Sequence, residues 1–242
     1  MVHTAVIGGT GFDQLEDLQV IDRRMVDTPY GKPSDELVTG RLHDREFLFL
    51  PRHGASHTIP PHRINYRANI HALKSAGVER IIAFSAVGGI GAAMRPGDVV
   101  IPDQIIDYTW GREHTFHDGT GDFLDHVDFT HPYSPALRSQ IIRAAKRAGV
   151  EVHASGTYAA TQGPRLESAA EIDRLQRDGG DIVGMTGMPE AGLAREAGID
   201  YAAIAIVVNP AAGRGGGPIT MDQIRLHMEL GALRGIAILQ YC

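Results

Sequence analysis

Cysteine is all but absent from this chain. The one thiol, Cys242, ends the sequence, which excludes an internal disulfide framework and any zinc cluster built on cysteines, and suits a reducing compartment. Long apolar runs are missing too, and no stretch approaches the roughly 20 residues that a membrane-spanning helix needs. The opening Met1-Val2-His3-Thr4-Ala5-Val6-Ile7-Gly8 enters a strand-like run directly, without the basic flank and long apolar region of a secretory signal, so a soluble, cytoplasmic protein is expected. Nor is there a basic excess: 23 Lys and Arg stand against 29 Asp and Glu, for a formal net charge of -6. The basic residues are scattered, which disfavours nucleic acid and anionic membranes as partners. A small molecule is the expected partner.

What is present is a globular pattern. The 242 residues, 43% of them hydrophobic, suffice for one domain over 1–242 with a full core. Short apolar runs at 5–7, 47–50, 81–87, 99–101, 182–185 and 202–208 read as buried strands, and they alternate with helical spacing, which defines an α/β fold. Ile64, Ala68, Ala72, Leu73 and Ala76 recur at helical intervals and stop at Gly77. Ser134-Pro135 opens a helix that carries Leu137, Ile141, Ala144, Ala145 and Ala148 and stops at Gly149. Ser168 with Glu171, and Thr220 with Gln223, have capping-box spacing and mark two more helix starts, the second leading a helix from about Met221 towards Leu239. Gly213-Arg214-Gly215-Gly216-Gly217 reads as a flexible loop before it. The irregular stretch 109–132 carries His114, His117, His126 and His131, but no spacing there matches a metal-ligand arrangement, and histidines in polar loops are more often solvated or hydrogen-bonded.

Several strand ends carry residues suited to an anion. Gly8-Gly9-Thr10-Gly11 follows the first strand, so its backbone N–H groups and the Thr10 hydroxyl can form a phosphate nest. A dinucleotide fingerprint would need a third glycine where Gln14 stands, and a P-loop would need Gly-Lys-Ser/Thr, which is absent; a plain tight turn is the bland alternative. Arg52-His53-Gly54 follows another strand, where Arg52 offers phosphate a two-pronged donor fork, against the alternative of a surface arginine with a packing histidine. Ser85-Ala86 with Gly88-Gly89, and Met185-Thr186-Gly187, repeat the arrangement at two further strand ends. Together they describe one anion pocket.

Gln162-Gly163-Pro164-Arg165-Leu166-Glu167-Ser168 makes the pattern specific. With Gly8-Gly9-Thr10-Gly11, Arg52-His53-Gly54, Asn65-Tyr66-Arg67-Ala68-Asn69-Ile70, Pro96-Gly97-Asp98, Met185-Thr186-x-x-Pro189-Glu190 and Ala197-Gly198-Ile199, it resembles the methylthioadenosine phosphorylase and purine nucleoside phosphorylase family, in order and over nearly the whole chain. The resemblance implies one α/β domain with a central mixed, partly barrel-like sheet, assembled as a homotrimer or a dimer of trimers, with active sites near subunit interfaces. It implies phosphate held by Thr10, Arg52, His53, Ser85, the Ala86 backbone and Thr186, and Met185 packed beneath the ribose. No metal or organic cofactor is implied, inorganic phosphate being a co-substrate.

The departures from the family pattern carry the substrate. Adenine-specific members have an aspartate at the Asn209 position, another at the Ala211 position, and serine at the Glu167 position. The 6-oxopurine phosphorylases have glutamate and asparagine where this chain has Glu167 and Asn209. A 6-oxopurine presents N1–H as donor and O6 as acceptor, matching an ionised Glu167 and the Asn209 amide, whereas adenine inverts both. At the sugar's 5' end, ordinary nucleoside phosphorylases place a histidine near the start of the last helix; Met221 stands there in this chain, with Ile219 and Ile224 beside it and His57 at the border, an apolar setting for a methylthio group. The expectation is phosphorolysis of S-methyl-5'-thioinosine, with Asn209 also stabilising the departing base. General 6-oxopurine nucleoside phosphorolysis, methylthioadenosine phosphorolysis and, more remotely, non-phosphorolytic dinucleotide binding are the alternatives.

Overall fold

A computed structural model describes residues 2–9, 18–119, 124–217 and 219–242, Met221 by its backbone alone. In chain order its elements are β1 (Thr4–Gly8), β2 (Gln19–Arg24), β3 (Leu37–Leu42), β4 (Arg45–Pro51), α1 (Tyr66–Ser75), β5 (Arg80–Gly89), β6 (Val99–Val100), β7 (Gln104–Asp107), α2 (Pro135–Ala148), β8 (Thr157–Ala160), α3 (Ala169–Arg177), β9 (Ile182–Gly184), α4 (Gly187–Glu196), β10 (Asp200–Pro210) and α5 (Met221–Leu239). Among the described residues, the ten strands join one mixed sheet.

Local chemistry accounts for the helix ends. The Ser134 side chain accepts from the Leu137 N–H, Pro135 occupies the first turn, and Gly149 closes α2 in the left-handed conformation at φ 69°. At α3 the capping box is complete, with Ser168 and Glu171 each accepting from the other's backbone N–H. Thr220 Oγ1 accepts from the Gln223 N–H at the head of α5.

The sheet is buried on both faces because successive side chains of a strand point to opposite sides. Val6, Phe47, Phe49, Ile82 and Phe84 pack with Leu137 and Ile141 of α2 and with Ile238 and Leu239 of α5. Ala5, Ile7, Leu48, Leu50, Ile81 and Ala83 pack on the other face with Ile70 and Leu73 of α1 and Leu193 of α4. Each such aliphatic side chain taken out of water contributes about 1.5–3 kcal/mol.

The topology opens a gap where the site lies. β5 pairs with β1 in parallel as far as Ala83, and on the same side its end pairs antiparallel with β9 only from Gly88. Residues 84–87 fall between the two ladders. On its other side β5 runs parallel with β10, broken by a bulge between Val207 and Asn209. β10 pairs with β6, the chain continues from β6 into β7, and β7, β8 and β9 return to β5, so this half of the sheet is partly closed like a barrel.

Four strands escape the apolar-run reading: β2, β3, β7 and β8. β2 is exposed along its length, β3 is interrupted by Thr39, Gly40 and Arg41, β7 lies at an edge and β8 has four residues, so none presents a sustained apolar run. The run at 182–185 ends as a strand at Gly184, one residue early, and that at 99–101 ends at Val100. α4, whose backbone is non-helical at Met188 just before Pro189, has no clean helical signature. Among the described residues, no helix is long and apolar enough to cross a membrane.

Candidate active site

A cleft of about 340 Å³ opens beside the gap in β5. Arg52, His53, Ser85, Ala86, Met185 and Thr186 line it, and so do Glu167, Asn209, Ala211, His57, Ile219 and Ile224. Thr10 lies outside the described residues, as does the Met221 side chain, whose backbone begins α5.

Where β4 meets β1, the Arg52 N–H donates to the Gly8 carbonyl over 2.8 Å, tying the two strand ends together. The Arg52 side chain is wholly buried, and its fork is largely engaged by protein instead of being left free for an anion. Nε donates to Glu190 Oε2 at 2.6 Å, Nη2 to Glu190 Oε1 at 2.7 Å, and Nη1 to the Phe84 carbonyl at 2.7 Å. A buried guanidinium requires a counter-charge, and α4 supplies one where sequence reasoning saw only solvent and phosphate. Burial alone would lower the Arg52 pKa, but the Glu190 charge and hydrogen bond outweigh it, so the group is held firmly charged. Tyr201 donates its hydroxyl to Glu190 Oε1 at 2.8 Å, and burial beside that carboxylate keeps the phenol well above its ordinary pKa. Three of the five guanidinium N–H bonds are thus committed to protein, leaving Nη1 and Nη2 one each. Gly9 is needed here: a Cβ would stand 2.5 Å from the Phe84 carbonyl oxygen and 2.7 Å from Arg52 Nη1.

His53 donates Nδ1–H to the Ile59 carbonyl at 2.8 Å, and its ring lies 4.6 Å from that of His57. Ser85 sits within residues 84–87, where β5 has no ladder neighbour on the cleft side. Thr186 ends the turn after β9, its N–H directed at the Tyr158 hydroxyl.

Glu167 stands one residue before the α3 cap. Its Oε1 accepts from the Thr161 hydroxyl at 2.6 Å. Asn209 follows the β10 bulge, which re-aims the strand end, and is 7% exposed. One Asn209 Nδ2 proton goes to the Pro210 carbonyl at 2.7 Å, which fixes the amide's orientation and leaves the other proton and Oδ1.

Arg112 went unnoticed in the sequence, inside the irregular histidine-bearing stretch. It is buried and donates to the carbonyls of Met185, Met188, Thr161 and Gln162 and to Gln162 Oε1, so one guanidinium clamps the Met185-Thr186 turn to the segment leading to Glu167. Nothing local signals this, because every partner, the Tyr66 hydroxyl included, is at least 46 residues away. Glu190 was visible as part of a motif, but its role needed its partner. Among the described residues, no three His, Cys, Asp or Glu side chains converge as a metal site requires.

A guanidinium, imidazoles and hydroxyls line one cleft of an α/β fold together with a carboxylate and a primary amide, the makeup of a transferase site for polar substrates. Residues 3–242 match the model of the phosphorylase superfamily, and the chain belongs to that family. It is an enzyme of the purine nucleoside phosphorylase type, a pentosyltransferase that uses phosphate. The chain is 54% identical to a probable S-methyl-5'-thioinosine phosphorylase of Xanthomonas campestris, over 94% of this chain and 92% of that one. It is 49% identical to a 6-oxopurine nucleoside phosphorylase of Pyrococcus furiosus, over 93% and 85%. Among solved structures, methylthioadenosine phosphorylase from Schistosoma mansoni in complex with adenine superposes with a TM-score of 0.93 at 36% identity, covering 99% of this chain and 90% of that one.

Proposed function

We propose that this chain catalyses reversible phosphorolysis of S-methyl-5'-thioinosine, giving hypoxanthine and S-methyl-5-thioribose 1-phosphate. One observation carries the reading: Glu167 and Asn209, 42 positions apart in sequence, line the same cleft. An ionised Glu167 accepts N1–H of a 6-oxopurine, and the remaining Asn209 Nδ2 proton goes to O6. Adenine would set its N1 lone pair against the carboxylate and its amino group against the amide donor. Sites built on such hydrogen bonds discriminate by roughly 10⁴-fold or more.

Phosphate takes the opposite end, held by Arg52, His53, Ser85, the Ala86 backbone, Thr186 and Thr10. It is the nucleophile at C1', and its charge stabilises the oxocarbenium-like sugar while Met185 packs beneath the ribose. As the glycosidic bond breaks, negative charge enters the purine; Asn209 Oδ1 accepts N7–H and stabilises the leaving base. The rate comes from positioning and electrostatics, with no attacking side chain and no metal or organic cofactor. Ile219, Ile224 and His57 border the cleft beside the Met221 start of α5, a setting for the methylthio group, while Ala211 lies with Asn209 on the base side.

Initial rates in phosphate with methylthioinosine, methylthioadenosine and inosine test the reading: methylthioinosine should be fastest, and a preference for methylthioadenosine would overturn the base assignment. The relative from Pyrococcus furiosus favours a second reading, general 6-oxopurine nucleoside phosphorolysis, which equal rates on inosine and methylthioinosine would support. Assembly as a homotrimer belongs to the same proposal. Exposed Trp110 and Leu166 provide apolar surface of the kind a neighbouring subunit covers, and light scattering should give three times the 26.1 kDa of one chain.

A further inference from the structure

Thr161, the residue after β8, has no part in the base recognition described above. Its backbone N–H donates to the Gly184 carbonyl over 2.8 Å, which locks it against β9. Its hydroxyl lies 2.6 Å from Glu167 Oε1 and 3.3 Å from the same Gly184 carbonyl, which the backbone already serves. A hydroxyl has one proton, and the ionised carboxylate at the shorter distance takes it. One of the two Glu167 oxygens therefore has a protein donor before any base arrives.

We propose that Thr161 sets which 6-oxopurine the site prefers: by committing Glu167 Oε1, it favours the base edge with a single donor, hypoxanthine, over the edge with two, guanine. The inference rests on the reading of Glu167 as the N1 partner. Hypoxanthine presents N1–H beside a C2–H, and Oε2 alone serves it. Guanine presents N1–H beside its 2-amino group, and two parallel donors call for both carboxylate oxygens, as an arginine fork does. The second donor must then share Oε1 with the Thr161 hydroxyl. Thr161 is a positioning residue, acting through Glu167, whose carboxylate it ties to a hydroxyl anchored on the sheet.

The experiment compares kcat/KM for inosine and guanosine in the wild type, Thr161→Val, Thr161→Ala and Thr161→Ser. Val and Ala remove the hydroxyl, Val at nearly unchanged shape, and the guanosine-to-inosine ratio should rise about tenfold, the worth of one hydrogen bond to a charged acceptor. Ser keeps the proton and should keep the wild-type ratio. An unmoved or lowered ratio in whichever of Val and Ala folds, including an equal loss on both substrates, overturns the proposal. A wild type that prefers methylthioadenosine defeats the base assignment itself, so the two failures are distinguishable.

Discussion

Arg52 and Glu190, 138 residues apart in sequence, meet in a two-point ion pair of 2.6 and 2.7 Å with side chains 1% and 0% exposed. The pair balances the buried Arg52 charge within the protein, and with the Phe84 carbonyl it leaves one proton each on Nη1 and Nη2. Removing one partner from such a pair leaves a buried charge unmatched.

Glu190→Gln should therefore lower stability by about 3–5 kcal/mol, read as a fall in Tm. Phosphate, bound at the Nη1 and Nη2 protons, restores a counter-charge. Added phosphate should raise the Tm of the variant by more than it raises that of the wild type. Equal shifts would place phosphate away from Arg52.

Asn209→Asp replaces the amide donor by an acceptor at the base edge. Activity should move from 6-oxopurine towards adenine substrates, with kcat/KM on methylthioinosine falling about 10²-fold or more, since a lost buried hydrogen bond to the reacting base costs about 2.7–4 kcal/mol. An unchanged ratio of methylthioinosine to methylthioadenosine turnover would count against Asn209 as the O6 and N7 partner.

Cys242 provides a check on packing at the chain's end. Burial raises its thiol to about 11, opposed by the nearby Arg45 charge, and the thiolate is the reactive form. At pH 8 a thiol reagent should modify the native protein far more slowly than the urea-unfolded chain, and the native rate should climb as pH rises towards that value. Fast labelling of the folded protein at pH 8 would mean that the last residues do not pack as described.

Much of the site was legible because its residues stand in short motifs at strand ends. Arg52-His53, Ser85-Ala86 and Met185-Thr186 each follow or end an apolar strand, and the cleft brings them together. That Glu190 engages the Arg52 fork was not legible, since the pairing depends on a glutamate in a distant helix. Arg112 was illegible for the same reason: its value lies in six backbone and side-chain acceptors gathered from three distant segments. The exposed strand β2 and the edge strand β7 were missed because periodicity reports burial, and these strands bury little.

The sequence by itself determined the α/β class, the boundaries of α2 and α5, the capping box of α3 and most of the residue types that line the cleft, because caps, helical spacing and strand-end motifs are encoded within a few neighbouring residues. Only the tertiary structure decided that β1 and β9 leave 84–87 of β5 unpaired on one side, that Glu190 claims the Arg52 fork, and that Thr161 holds Glu167. Those outcomes come from side chains and strand ends far apart in the chain, and their geometry exists only once the two faces of the sheet are packed.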